Sequence, residues 1–126
     1  MVVGIGIDII EIERIKSSVD KFGDHFLNKI FTKNELEYSL TKANKYQHLA
    51  ARFAAKEAVA KALSTGWNKE FRFKDIEIKN QSNGMPVVEL FGQLKKFLSV
   101  DKDLKITMSH SDHYVTCFAI LYSKKD

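Results

Sequence analysis

Ala51-Arg-Phe-Ala-Ala-Lys-Glu-Ala-Val-Ala-Lys-Ala-Leu63 reads as a helix in which charged side chains stand among residues that otherwise want to be buried. At about 100° per residue, Tyr46, Leu49, Phe53 and Ala60 share one side, while Ala51, Ala55, Ala58 and Ala62 form a small-residue stripe on the other. A helix patterned in this way is packed on both sides. Glu57 and Lys61 fall at the edge of the large apolar face, and Arg52 and Lys56 occupy the opposite seam. An i,i+4 Glu/Lys pair contributes only about 0.3–0.5 kcal/mol, whereas a desolvated ion costs several kcal/mol. Either these charges snorkel at the rim of a surface helix, or a divalent cation or a phosphate-bearing ligand supplies the missing counter-charge.

Upstream, Val2 to Ile10 alternates as a strand, with Val3, Ile5, Ile7 and Ile9 on one face and Gly4, Gly6 and Asp8 on the other. The glycines leave room for a ligand or a neighbouring backbone, and Asp8 projects into the cleared space or caps the next helix. Gly4-x-Gly6 lacks the third glycine of a dinucleotide loop. A first helix is expected over Glu11–Lys21, with short helical pieces through Phe22, Phe26, Leu27, Ile30 and Phe31. Thr32 and Glu35 have the spacing of a capping box. The long helix is expected over Ala43–Leu63 and stops at Thr65-Gly66, where glycine supplies a left-handed cap.

Downstream, Phe73–Lys79 and Pro86–Leu90 read as a hairpin around the turn Asn80–Gly84, followed by a short helix over Phe91–Leu98. Leu104–Ser109 and Tyr114–Tyr122 form a second hairpin with His110-Ser-Asp-His113 at its tip. The expected fold is α+β: one domain over residues 1–126, with an N-terminal strand, one long central helix and two hairpins forming an antiparallel sheet. The 126 residues, 44% hydrophobic and 29% charged, suit one soluble core. No apolar run reaches the about 18 residues of a membrane span, and no basic flank marks a secretory signal, so the expected setting is the cytoplasm, with no membrane partner. Cys117 is the one cysteine and excludes both an internal disulfide and a thiolate metal cluster.

The net charge of +4 favours an anionic partner. Zinc-finger spacing, Arg-rich arms and RNP-like aromatic runs are missing, which argues against nucleic acid. Ser109-His110-Ser111-Asp112 holds the residue types of a hydrolytic triad, but neighbours in a tight turn cannot form that relay. Its hydroxyls, imidazole and amides suit a phosphate. Asp8 and Glu57 make a two-carboxylate Mg²⁺ site with Lys61 one turn away, a set that fits phosphoryl transfer and some nucleases alike.

Gly6-Ile-Asp8 with Glu11 and Arg14, Phe31-Thr-x-x-Glu35, Arg52-Phe-Ala-Ala-Lys-Glu-Ala58 with Lys61, Asp75-Ile-Glu-Ile78 and Ser109-His-Ser111 together resemble the holo-acyl-carrier-protein synthases, small single-domain phosphopantetheinyl transferases. The resemblance spans nearly the whole chain in order. Two stretches depart from it. Gly66 stands where a glycine-rich stretch is usual, and Gly84-Met85-Pro86 replaces a Gly-Lys/Arg-Pro turn. The resemblance implies the phosphopantetheinyl transferase fold, and transfer of phosphopantetheine from coenzyme A to a serine of apo acyl carrier protein in fatty acid biosynthesis, releasing adenosine 3′,5′-bisphosphate. It implies Mg²⁺ on Asp8 and Glu57, Lys61 against the pyrophosphate, Arg52 and His110 on the 3′-phosphate, and Arg14 facing the carrier protein. The serine proton goes to a water near Asp8 or the metal, with His110 the rival base. It also implies a homotrimer with sites between subunits. The competing readings are a Mg²⁺-dependent nuclease and a non-catalytic basic binding module.

Overall fold

The alternation at Val2–Glu11 forms β1, which lies in a three-stranded antiparallel sheet. The structure, a computed structural model, describes residues 1–64 and 71–125. Tyr114–Ser123 (β5) is the central strand, flanked by β1 and by Lys102–His110 (β4). Asp8 lies opposite Cys117, Ile7 opposite Phe118, and His110 opposite Val115.

The buried face of β1 is the bare one. Ile5, Ile7 and Ile9 are 60%, 62% and 64% exposed, whereas Gly6 is buried against the long helix α4, Lys45–Ala62. A Cβ at Gly6 would stand 2.0 Å from the Ala58 carbonyl oxygen, and one at Gly4 would stand 1.9 Å from that of Ala62. Strand and helix therefore meet backbone to backbone, which only glycine permits. The small-residue stripe of α4 supplies the other half of this contact: Ala55, Ala58 and Ala62 are buried.

Before α4 come three short helices: α1 (Ile12–Phe22), α2 (Asp24–Ile30) and α3 (Lys33–Leu40). The capping box forms as expected. Glu35 N–H donates to Thr32 Oγ1 at 3.2 Å, and Thr32 N–H donates to Glu35 Oε1 at 2.9 Å. At the far end of α4, the left-handed residue is Ser64 at φ 59°, and the expected cap at Thr65-Gly66 lies outside the described residues.

The hairpin strands are β2 (Ile76–Asn80) and β3 (Pro86–Leu90), and they form a sheet of their own rather than joining the other hairpin in one sheet. Side chains terminate the outer edge of β2. Ile78 N–H donates to Glu35 Oε2 at 2.8 Å, and the Lys56 ammonium donates to the carbonyl of Ile76. Phe73–Asp75, expected in the strand, is a 3₁₀ turn; Lys56 also takes the carbonyl of Phe73 at 2.9 Å. The short helix expected after β3 is likewise 3₁₀, over Gly92–Phe97. Leu49, Val59, Ile76, Leu94, Val115 and Cys117 belong to one buried core that joins both sheets to α4. No helix among the described residues is long and apolar enough to cross a membrane.

Candidate active site

β1 and α4 bring two carboxylates to one cleft of about 300 Å³, with Asp8 from the strand and Glu57 from the helix. Phe26 and Phe53 provide apolar wall, and Arg14 and Ser18 of α1 stand at the same cleft. Lys61, one turn beyond Glu57, reaches back over β1. Its ammonium lies 3.5 Å from Asp8 Oδ1 and donates to the Ile7 carbonyl at 2.9 Å. Burial raises the Asp8 carboxyl pKa above its ordinary range, and Lys61 only partly offsets the shift. Burial also raises that of Glu57, with the Asp8 charge adding to the shift and Lys61 opposing it. Two partly desolvated carboxylates against one lysine leave local negative charge uncompensated.

A small divalent cation fits that imbalance. Mg²⁺ takes one or two carboxylates and fills its other positions with water and substrate phosphate. Among the described residues no group of three or more His, Cys, Asp or Glu side chains is placed to hold a metal, so Asp8 and Glu57 are the donor set the cleft offers.

The other seam of α4 carries positive charge. Arg52 is buried; its Nη2 donates to Asn80 Oδ1 at 2.7 Å, and its guanidinium lies 4.3 Å from the centre of the Tyr38 ring. Lys42 Nζ lies 4.7 Å from the same ring, and His48 meets that ring edge-on at 5.5 Å. Burial lowers the His48 pKa first, and the charges of Arg52, Lys42 and His110 lower it further. His48 thus lies within electrostatic reach of both Arg52 and His110. His110, exposed at the end of β4, does not line the Asp8–Glu57 cleft. It pairs with Val115 on β5, and Val115 pairs with Ile10 on β1, so it sits two strands from Ile10, about 10 Å across the sheet.

Asp8, Glu57 and Lys61 come together, and Arg14, expected to face a partner, stands at the same cleft; Arg52 lies on the other seam of α4, and His110 lies away from the cleft. Sequence reading missed Tyr38, Lys42, His48 and Asn80. Tyr38 and Lys42, like His48 and Arg52, are four residues apart, which is the one sequence signal that could have found the first three; Asn80 carries none. Lys56 faces neither region. It is fully buried, with its ammonium 2.8 Å from Glu35 Oε1.

Residues 4–119 match the family described as the 4′-phosphopantetheinyl transferase superfamily. A holo-[acyl-carrier-protein] synthase of Protochlamydia amoebophila is 49% identical over 120 residues, which are 95% of this chain and 98% of that protein. The crystal structure of holo-[acyl-carrier-protein] synthase from Neisseria meningitidis superposes with a TM-score of 0.87 at 33% identity, covering 98% of this chain and 100% of that one. One from Bacillus anthracis, in complex with CoA (3′,5′-ADP), gives 0.81 at 37% identity, covering 98% of each. Fold and relatives together define an enzyme, a phosphopantetheinyl transferase. Within that superfamily the chain belongs to the holo-[acyl-carrier-protein] synthases.

Proposed function

We propose that this chain transfers 4′-phosphopantetheine from coenzyme A to a serine of apo acyl carrier protein in fatty acid biosynthesis, with magnesium held by Asp8 and Glu57. The observation that carries the reading is the pair of partly buried carboxylates in one cleft, with the Lys61 ammonium 3.5 Å from Asp8 Oδ1. The relatives' names, and the coenzyme A bound to the Bacillus anthracis structure, support the substrates.

The serine oxygen attacks the phosphorus that bears pantetheine. A new P–O bond forms, the pyrophosphate P–O bond breaks, and adenosine 3′,5′-bisphosphate leaves. When bound, magnesium would supply charge neutralisation at the pyrophosphate. Lys61 stabilises the negative charge that develops on the leaving phosphate. The serine proton passes to a water held at Asp8; His110, two strands away from the cleft, is the weaker candidate base. Arg52 and His110 bind the 3′-phosphate, and exposed Arg14 faces the acidic carrier protein.

The exposed apolar face of the sheet supports a homotrimer with sites between subunits. Val3, Ile5, Ile7, Ile9 and Phe118 are 37–64% exposed on one side, so large apolar side chains are gathered on one open face, as at an interface between chains. The shared core supports one domain over residues 1–126. The buried, unpaired Cys117 is in keeping with the cytoplasm. Mass spectrometry of apo carrier protein incubated with this enzyme, coenzyme A and Mg²⁺ tests the reaction. A phosphopantetheine mass gain is expected. No gain with several carriers, alongside cleavage of nucleic acid, would favour the nuclease instead.

A further inference from the structure

Arg52 is gripped by two residues to which the reaction as written assigns nothing. Asn80 Oδ1 accepts from Arg52 Nη2 at 2.7 Å, and the Tyr38 ring lies 4.3 Å from the guanidinium carbon. Asn80 also works in a second direction. Its Nδ2 donates to the Gly84 carbonyl at 3.1 Å, so a single amide ties α4 to the turn before β3. One Arg52 group is left over: Nε is buried and has no hydrogen-bond partner among the described residues. Arg52 lines a pocket of about 300 Å³ together with Tyr38, Lys79 and Asn80.

An arginine carries about 2 kcal/mol of rotamer entropy, which a ligand must overcome unless the protein has already fixed the side chain. The chemistry of the acceptor matters here. An aspartate in place of Asn80 would hold the guanidinium equally well but cancel its charge, whereas the neutral amide orients the guanidinium and leaves its charge available to a phosphate. We propose that Asn80, with the Tyr38 ring, is a positioning residue that presents Arg52 to the 3′-phosphate of coenzyme A and so sets the preference for coenzyme A over 3′-dephospho-coenzyme A. The proposal rests on the assignment of Arg52 to that phosphate.

Steady-state kinetics with both nucleotides tests it. Asn80→Ala is expected to raise the KM for coenzyme A roughly tenfold, with kcat and the KM for 3′-dephospho-coenzyme A unchanged. Asn80→Asp, which keeps an acceptor for Arg52 and guards against a folding failure of the first variant, is expected to lose the preference at least as fully. An equal rise for both nucleotides, or an unchanged preference in both variants, would overturn the proposal. Arg52→Ala separates the two layers. If it abolishes the preference while the Asn80 variants keep it, only the positioning role falls. If it retains the preference, the assignment of Arg52 falls and takes the proposal with it.

Discussion

Lys56 Nζ lies 2.8 Å from Glu35 Oε1 with both side chains at 0% exposure, tying α4 to α3 in the middle of the fold. The same ammonium binds the carbonyls of Phe73 and Ile76, and the same carboxylate binds the amides of Thr32 and Ile78. Burial lowers the Lys56 pKa while Glu35 raises it, so the charged lysine depends on its partner. Lys56→Met leaves Glu35 buried and uncompensated and should lower the unfolding free energy by about 3–5 kcal/mol. Urea denaturation checks this, and a loss under about 1 kcal/mol would show that the pair contributes little.

Gly6→Ala tests the contact between β1 and α4. The new Cβ would meet the Ala58 carbonyl oxygen at 2.0 Å, a clash with backbone that no side-chain rotation relieves. A loss of about 1–3 kcal/mol or more is expected, together with lower activity because Asp8 and Glu57 would be moved apart. Calorimetry and the transfer assay read the two effects, and a stable, fully active Gly6→Ala enzyme would contradict the packing described.

Glu57 gives a prediction in pH. Its pKa is raised above the ordinary 4.5, chiefly by burial. The folded protein therefore holds this proton more tightly than the unfolded chain. The associated stability is fully present below about pH 4.5 and is lost as the pH rises through the raised folded value, so ionised Glu57 costs stability at neutral pH. Glu57→Gln should be at least as stable as the parent at pH 7, yet lose turnover. It should also lose the increase in Tm that Mg²⁺ gives the parent by mass action. An equal Mg²⁺-dependent rise in both proteins would remove Glu57 from the metal site.

Ile7 stands opposite Phe118 on the exposed sheet face and is 62% exposed in the single chain. Ile7→Asp should convert a trimer of three 14.4 kDa chains to single chains and reduce activity with it. Sedimentation equilibrium would decide the matter, and a parent protein that already sediments as one chain would end the homotrimer reading.

Burial pushes the Cys117 thiol up to about 12. Iodoacetamide at pH 8 should leave it unmodified in the native protein and alkylate it after denaturation. Rapid labelling of the folded enzyme would mean that β5 opens readily.

Local patterns in the sequence carried most of the fold. The alternation of β1, the capping box at Thr32 and Glu35, and the two hairpins were all legible because each depends on neighbours within a few residues. Which face of β1 is buried was not, because isoleucines ordinarily point inward and only the approach of Ala58 and Ala62 reverses the rule. Grouping the hairpins into two sheets was also hidden, since alternation within each strand does not say whether β3 and β4 will hydrogen-bond to each other, and they do not. Asp8, Glu57 and Lys61 could be found through their misplaced charge. Tyr38 and Asn80 carry no such mark, and their relation to Arg52 exists only once α3 and β2 are folded against α4.

The glycine contact between β1 and α4 works as a fixed stop. Asp8 and Glu57 ride on two main chains that touch directly, so their separation is gauged by hard-sphere limits and not by the volume of any side chain between them. The core around Leu49, Val59 and Ile76 can consequently drift in shape over many substitutions without passing that drift on to the reacting centre.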